Sequence, residues 1–188
     1  MHTAAECAAM KALRYRSLDA PGSVCLAARL KRRLSGLEDA QASLARSLVG
    51  ESDALPPLTR AEFAEWTPAV EALSSGAEPA FSATHALSVC LRNEFRLLDD
   101  RGAPSGAALY PATARANHSC APNIRAYGLD GWVLRVEALR DIAAGEELLN
   151  SYVSVSDGPA PERAAWLRSR WLFDCACGAP NCASMPAC

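Results

Sequence analysis

The sequence predicts an α+β fold: a helical first half, then short strands, then a cysteine-rich tail. Three observations predict it. Apolar residues recur at helical spacing through about the first ninety residues. After Cys90, alternating or short apolar runs are separated by turns rich in Gly, Asp and Pro. Finally, Cys175, Cys177, Cys182 and Cys188 crowd the end of the chain, whereas Cys7, Cys25 and Cys90 are scattered. Such uneven spacing fits a metal site in a reducing compartment better than a disulfide framework.

The elements follow in order. Residues 4–18 are strong helix formers with Met10, Leu13 and Leu18 as apolar points. Asp19-Ala20-Pro21-Gly22 is a breaker, and Ser23 is placed to cap a helix reaching about Leu34. Its basic cluster of Arg29, Lys31, Arg32 and Arg33 is read as a solvated face. Apolar Leu37, Leu44 and Leu48 predict a helix over 37–49, and 50–57 is a loop. Thr59 with Glu62 makes a capping box for a helix through Phe63 and Trp66, which Pro68 kinks or splits. Ser74-Ser75-Gly76 breaks the pattern, and residues 81–91 resume it. Residues 93–98 alternate as a half-buried strand does, and 107–110 form a second short strand. Residues 124–127 and 132–137 flank Gly128-Leu129-Asp130-Gly131 as a hairpin. Pro161 opens a last helix reaching about Trp171, with Trp166 on its buried face.

Composition narrows the function classes. Half of the 188 residues are hydrophobic, enough for a core in one domain or a core with a helical annex. A net charge of −2 carries no electrostatic footprint for nucleic acid. No apolar run is long enough to span a membrane, and no secretory signal precedes the first charges. The expected setting is intracellular, in nucleus or cytoplasm.

Two stretches carry chemistry. Cys175-x-Cys177-x4-Cys182 places three thiols on a turn-rich segment, the arrangement a tetrahedral soft-ligand site needs. A fourth thiolate closes such a site and a water leaves it open. Cys188 is the nearest candidate in sequence, and Cys120 the candidate that would clamp the tail to another loop. Cys120 belongs to the second stretch, Asn117-His118-Ser119-Cys120-Ala121-Pro122-Asn123, which packs two amides, an imidazole, a hydroxyl and a thiol into one extended turn. Asn123 is read as holding that turn with its side chain. Glu146 and Glu147 point to opposite faces if extended, so they do not read as a paired acid–base site. They are taken as a turn exit in which Glu147 makes one structural hydrogen bond. His2 and Cys7 supply too few ligands for a structural zinc, and His85 is given no role.

Together these residues resemble the SET domain, and more closely the SET-and-MYND family of protein lysine methyltransferases. Residues 117–123 look like the family's NHSCxPN motif, and Gly145-Glu146-Glu147-Leu148 with Ser151-Tyr152 like its GEExxxSY motif. The tail resembles the post-SET CxCx4C. Residues 107–111 resemble the Gly-Leu-Tyr-Pro strand, and Asn93-x-Phe95 an NxF strand. The resemblance is dense over about 93–182. It implies a SET-like fold of short strands with a helical insertion at 1–92, the SET core at 93–158, and a post-SET helix and zinc tail at 159–188. It also implies an N-terminally truncated chain: the family's Gly-x-Gly cofactor strand has no counterpart here, and His2…Cys7 resembles only the last ligands of a MYND finger.

The activity so implied is S-adenosylmethionine-dependent N-methylation of a lysine in a histone tail or another protein. The alternative is a catalytically inactive SET-like zinc module that binds protein partners. By the same resemblance, Asn117, His118 and Phe173 contact S-adenosylmethionine, the Asn through its side chain and the His largely through its backbone. Phe95 and Trp171 line the lysine channel, Tyr152 is catalytic, and Cys120 joins Cys175, Cys177 and Cys182 on zinc. No direct nucleic-acid or membrane partner is expected.

Overall fold

The structure is a computed structural model that describes Ala8 and residues 21–35, 40–48, 57–75, 77, 81–99, 101, 103–129, 133–154 and 157–182. The expected helix at 4–18, apart from Ala8, lies outside these residues, as do His2, Cys7 and Cys188. The chain divides into two compact units, Met1–Pro111 and Ala112–Cys188.

From Pro21 on, the described residues of the first unit form four helices and one hairpin. They are α1 (Pro21–Leu34), α2 (Ala40–Arg46), α3 (Pro57–Leu73), α4 (Ala83–Asn93), β1 (Glu94–Leu98) and β2 (Pro104–Leu109). Helix α1 is packed by both α3 and α4. Val24, Ala27, Ala28, Val70, Leu87 and Val89 are almost wholly buried. Ser82 caps α4, its hydroxyl accepting from the His85 N–H at 3.1 Å. Strands β1 and β2 pair antiparallel, with Phe95 opposite Ala108.

Several local expectations are corrected here. Pro21 does not precede α1 but begins it, because a first-turn proline lacks only an N–H that would have no helical partner. Ser23 therefore lies inside the helix, and its hydroxyl donates to Glu94 at 2.8 Å. The basic cluster is not simply solvated. Lys31 is buried and reaches Glu71 at 3.0 Å, while Arg32 donates to the Leu73 carbonyl at 2.6 Å. Because α1 is enclosed by two other helices, even its basic turn meets protein. Helix α3 likewise starts at Pro57, so Thr59 is not its cap, and the helix runs on through Pro68. A mid-helix proline costs about 3 kcal/mol. Burial of Phe63, Trp66, Val70 and Leu73 along the same helix offsets it.

The second unit is assembled from short pieces. A 3-10 turn at Thr113–Arg115 leads into β3 (Asn117–His118). Then come β4 (Ile124–Leu129), β5 (Val133–Ala138), β6 (Leu149–Asn150) and α5 (Ala160–Trp171). The β4–β5 hairpin pairs Ile124 with Ala138 through Leu129 with Val133. Strand β3 runs parallel to β6, with Asn117 opposite Leu149 and His118 opposite Asn150. Helix α5 buries Arg163, Ala164 and Leu167, a stripe at helical spacing. Trp166 falls outside that stripe and is 59% exposed, which corrects its expected place on the buried face.

Beyond α5 the chain reverses at Leu172, which adopts a left-handed conformation with φ of 62°. That conformation costs a non-glycine residue about 1–2 kcal/mol. It is held by the Leu172 N–H bond to the Arg168 carbonyl at 3.1 Å and by packing on either side: Trp171 and Phe173 both lie against a core of Cys120, Val153, Ala164, Leu167, Cys175, Ala179 and Cys182.

Candidate active site and thiolate centre

The site is built where β3 pairs with β6. Its framework is Asn123, which is wholly buried. Both hydrogens of its amide nitrogen are used, donating to the Glu146 carboxylate at 2.9 Å and the Glu147 carbonyl at 2.8 Å. Its side-chain oxygen accepts from the Leu149 N–H at 2.8 Å. Its own backbone N–H donates to the Leu149 carbonyl at 3.1 Å. One amide thus fastens residues 120–123 to residues 146–149, as the sequence reading of Asn123 expects. A serine or alanine could not make these bonds, because neither side chain offers two donors and an acceptor.

Glu146 and Glu147 do different work. Glu146 accepts from Arg140, Asn123 and the Ala143 N–H, and these bonds, Arg140's first, pull its carboxyl down to about 2. Glu147 accepts from the Asn117 amide at 2.6 Å. The more tightly held of the two is therefore Glu146, not Glu147.

His118 and Tyr152 are brought together across β3 and β6. The Tyr152 N–H donates to His118 Nδ1 at 3.0 Å, and the Tyr152 hydroxyl donates to the Ala116 carbonyl at 2.8 Å. The Tyr152 ring lies 5.0 Å from Trp171, 5.3 Å from His118 and 6.3 Å from Phe173. Burial among these rings raises the Tyr152 pKa, so the hydroxyl keeps its proton at neutral pH. Burial also lowers the His118 pKa, and the nearby Arg163 charge lowers it further.

The four cysteines converge on the other side of His118. The sulfurs of Cys120, Cys175, Cys177 and Cys182 all lie within 4.8 Å of one another. Cys120 and Cys175, 55 residues apart in sequence, stand 3.9 Å apart through space. A metal–sulfur bond of about 2.3 Å in a tetrahedral site separates its sulfurs by roughly 3.8 Å. The spacing therefore fits a divalent metal ion, and Cys120 is the fourth thiol that the described residues bring to the cluster. Cys177 is the most open of the four. Burial works to raise its pKa, but donors from the Ala179 and Cys120 backbone and from neighbouring thiols outweigh it and bring it to about 6. Burial pushes Cys175 up to about 12. Cys175 therefore keeps its proton at neutral pH unless a cation replaces it, whereas Cys177 is poised to give its proton up.

Of the residues singled out in the sequence, Asn117, His118, Cys120, Tyr152, Trp171, Phe173, Cys175, Cys177 and Cys182 all lie in the second unit. Phe95 belongs to the first, where its ring meets Tyr110 at 5.6 Å. Arg163 was not singled out. Its guanidinium is buried and donates to the Gly158 and Asn181 carbonyls at 2.6 Å each, tying the start of α5 to the residue before Cys182. Nothing in the local sequence distinguishes it from the other arginines of that helix.

N-lysine methyltransferase SMYD2-B of Xenopus laevis is 35% identical over 85 residues, which is 45% of this chain and 19% of that protein. Histone-lysine N-methyltransferase SMYD3 of Homo sapiens is 34% identical over 99 residues, 53% of this chain and 23% of that protein. N-lysine methyltransferase SMYD2 of Homo sapiens is 34% identical over 85 residues, 45% of this chain and 19% of that protein. The matched stretch thus spans about a fifth of the length of these curated relatives. The sequence model of the SET domain matches residues 32–153, more than half of the chain, and the chain belongs to the SET domain family.

Proposed function

We propose that this chain carries the catalytic part of an S-adenosylmethionine-dependent protein lysine N-methyltransferase acting on a histone tail or another protein. The observation that carries the proposal is the setting of Tyr152. Its hydroxyl proton is directed to the Ala116 carbonyl, so the oxygen's lone pairs remain to accept from a substrate N–H or to face a methyl group that is gaining positive charge. A phenol kept protonated by burial is a poor general base. Tyr152 would therefore orient the amine and stabilise charge, without taking a proton itself.

When bound, S-adenosylmethionine supplies a methyl group on a sulfonium. A lysine nitrogen held beside it would need its lone pair free to accept that methyl group and a way to release the proton it then carries. A free lysine, with a pKa of about 10.4, is mostly charged at neutral pH. An apolar aromatic surround favours the neutral amine by desolvation. Trp171, which packs on the Tyr152 ring, is assigned to that surround. Asn117, His118 and Phe173 are assigned to the cofactor. Cys120, Cys175, Cys177 and Cys182 would hold a structural zinc, with no open position for chemistry. Residues 1–92 are assigned as the helical insertion, 93–158 as the SET core and 159–188 as the post-SET tail.

The test is a pair of measurements on the full chain. Calorimetry should detect S-adenosylmethionine binding. Tyr152→Phe should lower lysine methylation about a hundredfold, the scale of removing one positioned hydroxyl or amide from an active site, with metal content unchanged. No measurable cofactor binding would leave the non-catalytic partner-binding module as the better account. Full activity in Tyr152→Phe would remove the hydroxyl from the mechanism.

A further inference from the structure

We propose that the His118 imidazole is a bridge fixed in one tautomer, accepting from the Tyr152 backbone and donating to the Cys120 thiolate, and that it positions Tyr152 from the metal site. The inference rests on the thiolate-site reading above. The tautomer follows from what each neighbour can offer. A peptide N–H can only donate, and the Tyr152 nitrogen lies 3.0 Å from His118 Nδ1. Nδ1 must therefore present its lone pair. A neutral imidazole has one proton, and it is left on Nε2. Nε2 stands 3.4 Å from the Cys120 sulfur, within reach of a hydrogen bond to sulfur. A thiolate bound to metal is a ready acceptor there. Four thiolates on one divalent ion leave a net charge of −2, which a donor at the sulfur partly offsets.

The same geometry grips Tyr152 at two points. Its backbone nitrogen is held by His118, and its hydroxyl by the carbonyl of Ala116, two residues earlier on the same segment. Phe173 and Tyr152 itself flank the imidazole, with ring centroids at 5.9 and 5.3 Å. A shift of Cys120 would therefore be passed through one aromatic ring to the residue that faces the substrate. His118 acts here through other groups, apart from any contact of its backbone with cofactor.

The tautomer is directly observable. In the metal-loaded full chain labelled with 15N-histidine, long-range proton–nitrogen spectra should show His118 as the Nε2–H form. With cadmium-113 in place of the native metal, a scalar coupling should connect that proton to the metal through Cys120. His118→Asn can still accept from Tyr152 but cannot reach the sulfur, and should lose about 10–100-fold in metal affinity. His118→Gln places an amide donor near the Nε2 position and should recover most of that loss. An Nδ1–H tautomer in a metal-loaded chain, or a Gln variant as weak as the Asn variant, overturns the bridge and leaves the thiolate site standing. A wild-type chain that takes up no divalent metal overturns the thiolate site, and the bridge with it.

Discussion

In the first unit the most deeply buried side chains include Val24, Ala27, Ala28, Val70, Leu87 and Val89, carried on helices of up to 17 residues. In the second one buried cluster is Cys120, Val153, Ala164, Leu167, Cys175, Ala179 and Cys182, and its shortest strands have two residues each. The helical unit closes mainly by apolar burial, which is non-directional, with a few specific bonds such as Lys31 to Glu71. The second unit closes by directional hydrogen bonds and a cluster of four thiols placed to share a metal ion. The difference teaches where precision is bought. Short irregular segments can hold a tyrosine hydroxyl and an imidazole in register only if something other than bulk burial fixes them, and here that is Asn123 and the four sulfurs.

The largest expected break in this comparison comes from removing the metal proposed at the four cysteines. Structural zinc contributes about 10–16 kcal/mol of binding free energy in small thiolate domains. A chelator should abolish amide-exchange protection over residues 117–123 and 149–153 and leave that of residues 24–34 and 83–90 nearly unchanged. Equal loss in both stretches would mean that the two units do not differ as described.

Two substitutions then sharpen the contrast at similar cost. Leu87→Ala removes a wholly buried side chain from the helical unit and should destabilise it by about 3 kcal/mol through the cavity left behind. Asn123→Ala strands the Leu149 N–H and the Glu147 carbonyl, and should also cost about 3 kcal/mol, as buried unsatisfied groups do. Denaturant unfolding gives the costs, and metal affinity separates the mechanisms. Leu87→Ala should leave affinity unchanged, whereas Asn123→Ala should weaken it, because Asn123 anchors the loop that carries Cys120. Affinity moving with Leu87 and not with Asn123 would reverse the assignment.

The two units also differed in how legible they were. Helical periodicity marked α1, α3 and α4, since each spends an apolar stripe on a core. It misplaced the starts of α1 and α3, because Pro21 read as part of a breaker and Pro57 as the end of a loop, although a first-turn proline is compatible with a helix. It also read Lys31 as solvated, because enclosure by neighbouring helices is a tertiary fact. In the second unit periodicity said little, but the residue types themselves were informative. The thiol spacing and the motif around Cys120 marked which sulfurs come together, and an amide beside a proline turn marked Asn123. Arg163 and the Ala116 carbonyl stayed hidden, one because its burial depends on the fold, the other because a backbone oxygen has no sequence signature. Trp166 was misplaced for a plainer reason: a large ring suggests burial, but the stripe of Arg163, Ala164 and Leu167 leaves it on the opposite side.

The smallest expected effect is electrostatic and tests whether the directional network reaches the surface. The Arg140 guanidinium, the Asn123 amide and the Ala143 N–H lower the Glu146 carboxyl from 4.5 to about 2. In the unfolded chain these partners are lost, so the unfolded state takes up the proton first as pH falls. The carboxylate's contribution is therefore complete above about pH 4.5 and is lost as pH drops from there toward 2. The stability difference between wild type and Glu146→Gln, measured by denaturant unfolding, should be flat from neutral pH to about 4.5 and shrink below it. It should also shrink with added salt, because the Arg140–Glu146 pair is open to solvent. A difference that stays constant to the lowest pH at which the unit remains folded would show that Glu146 acts only as a neutral hydrogen-bond acceptor for Asn123, and that Arg140 adds nothing to it.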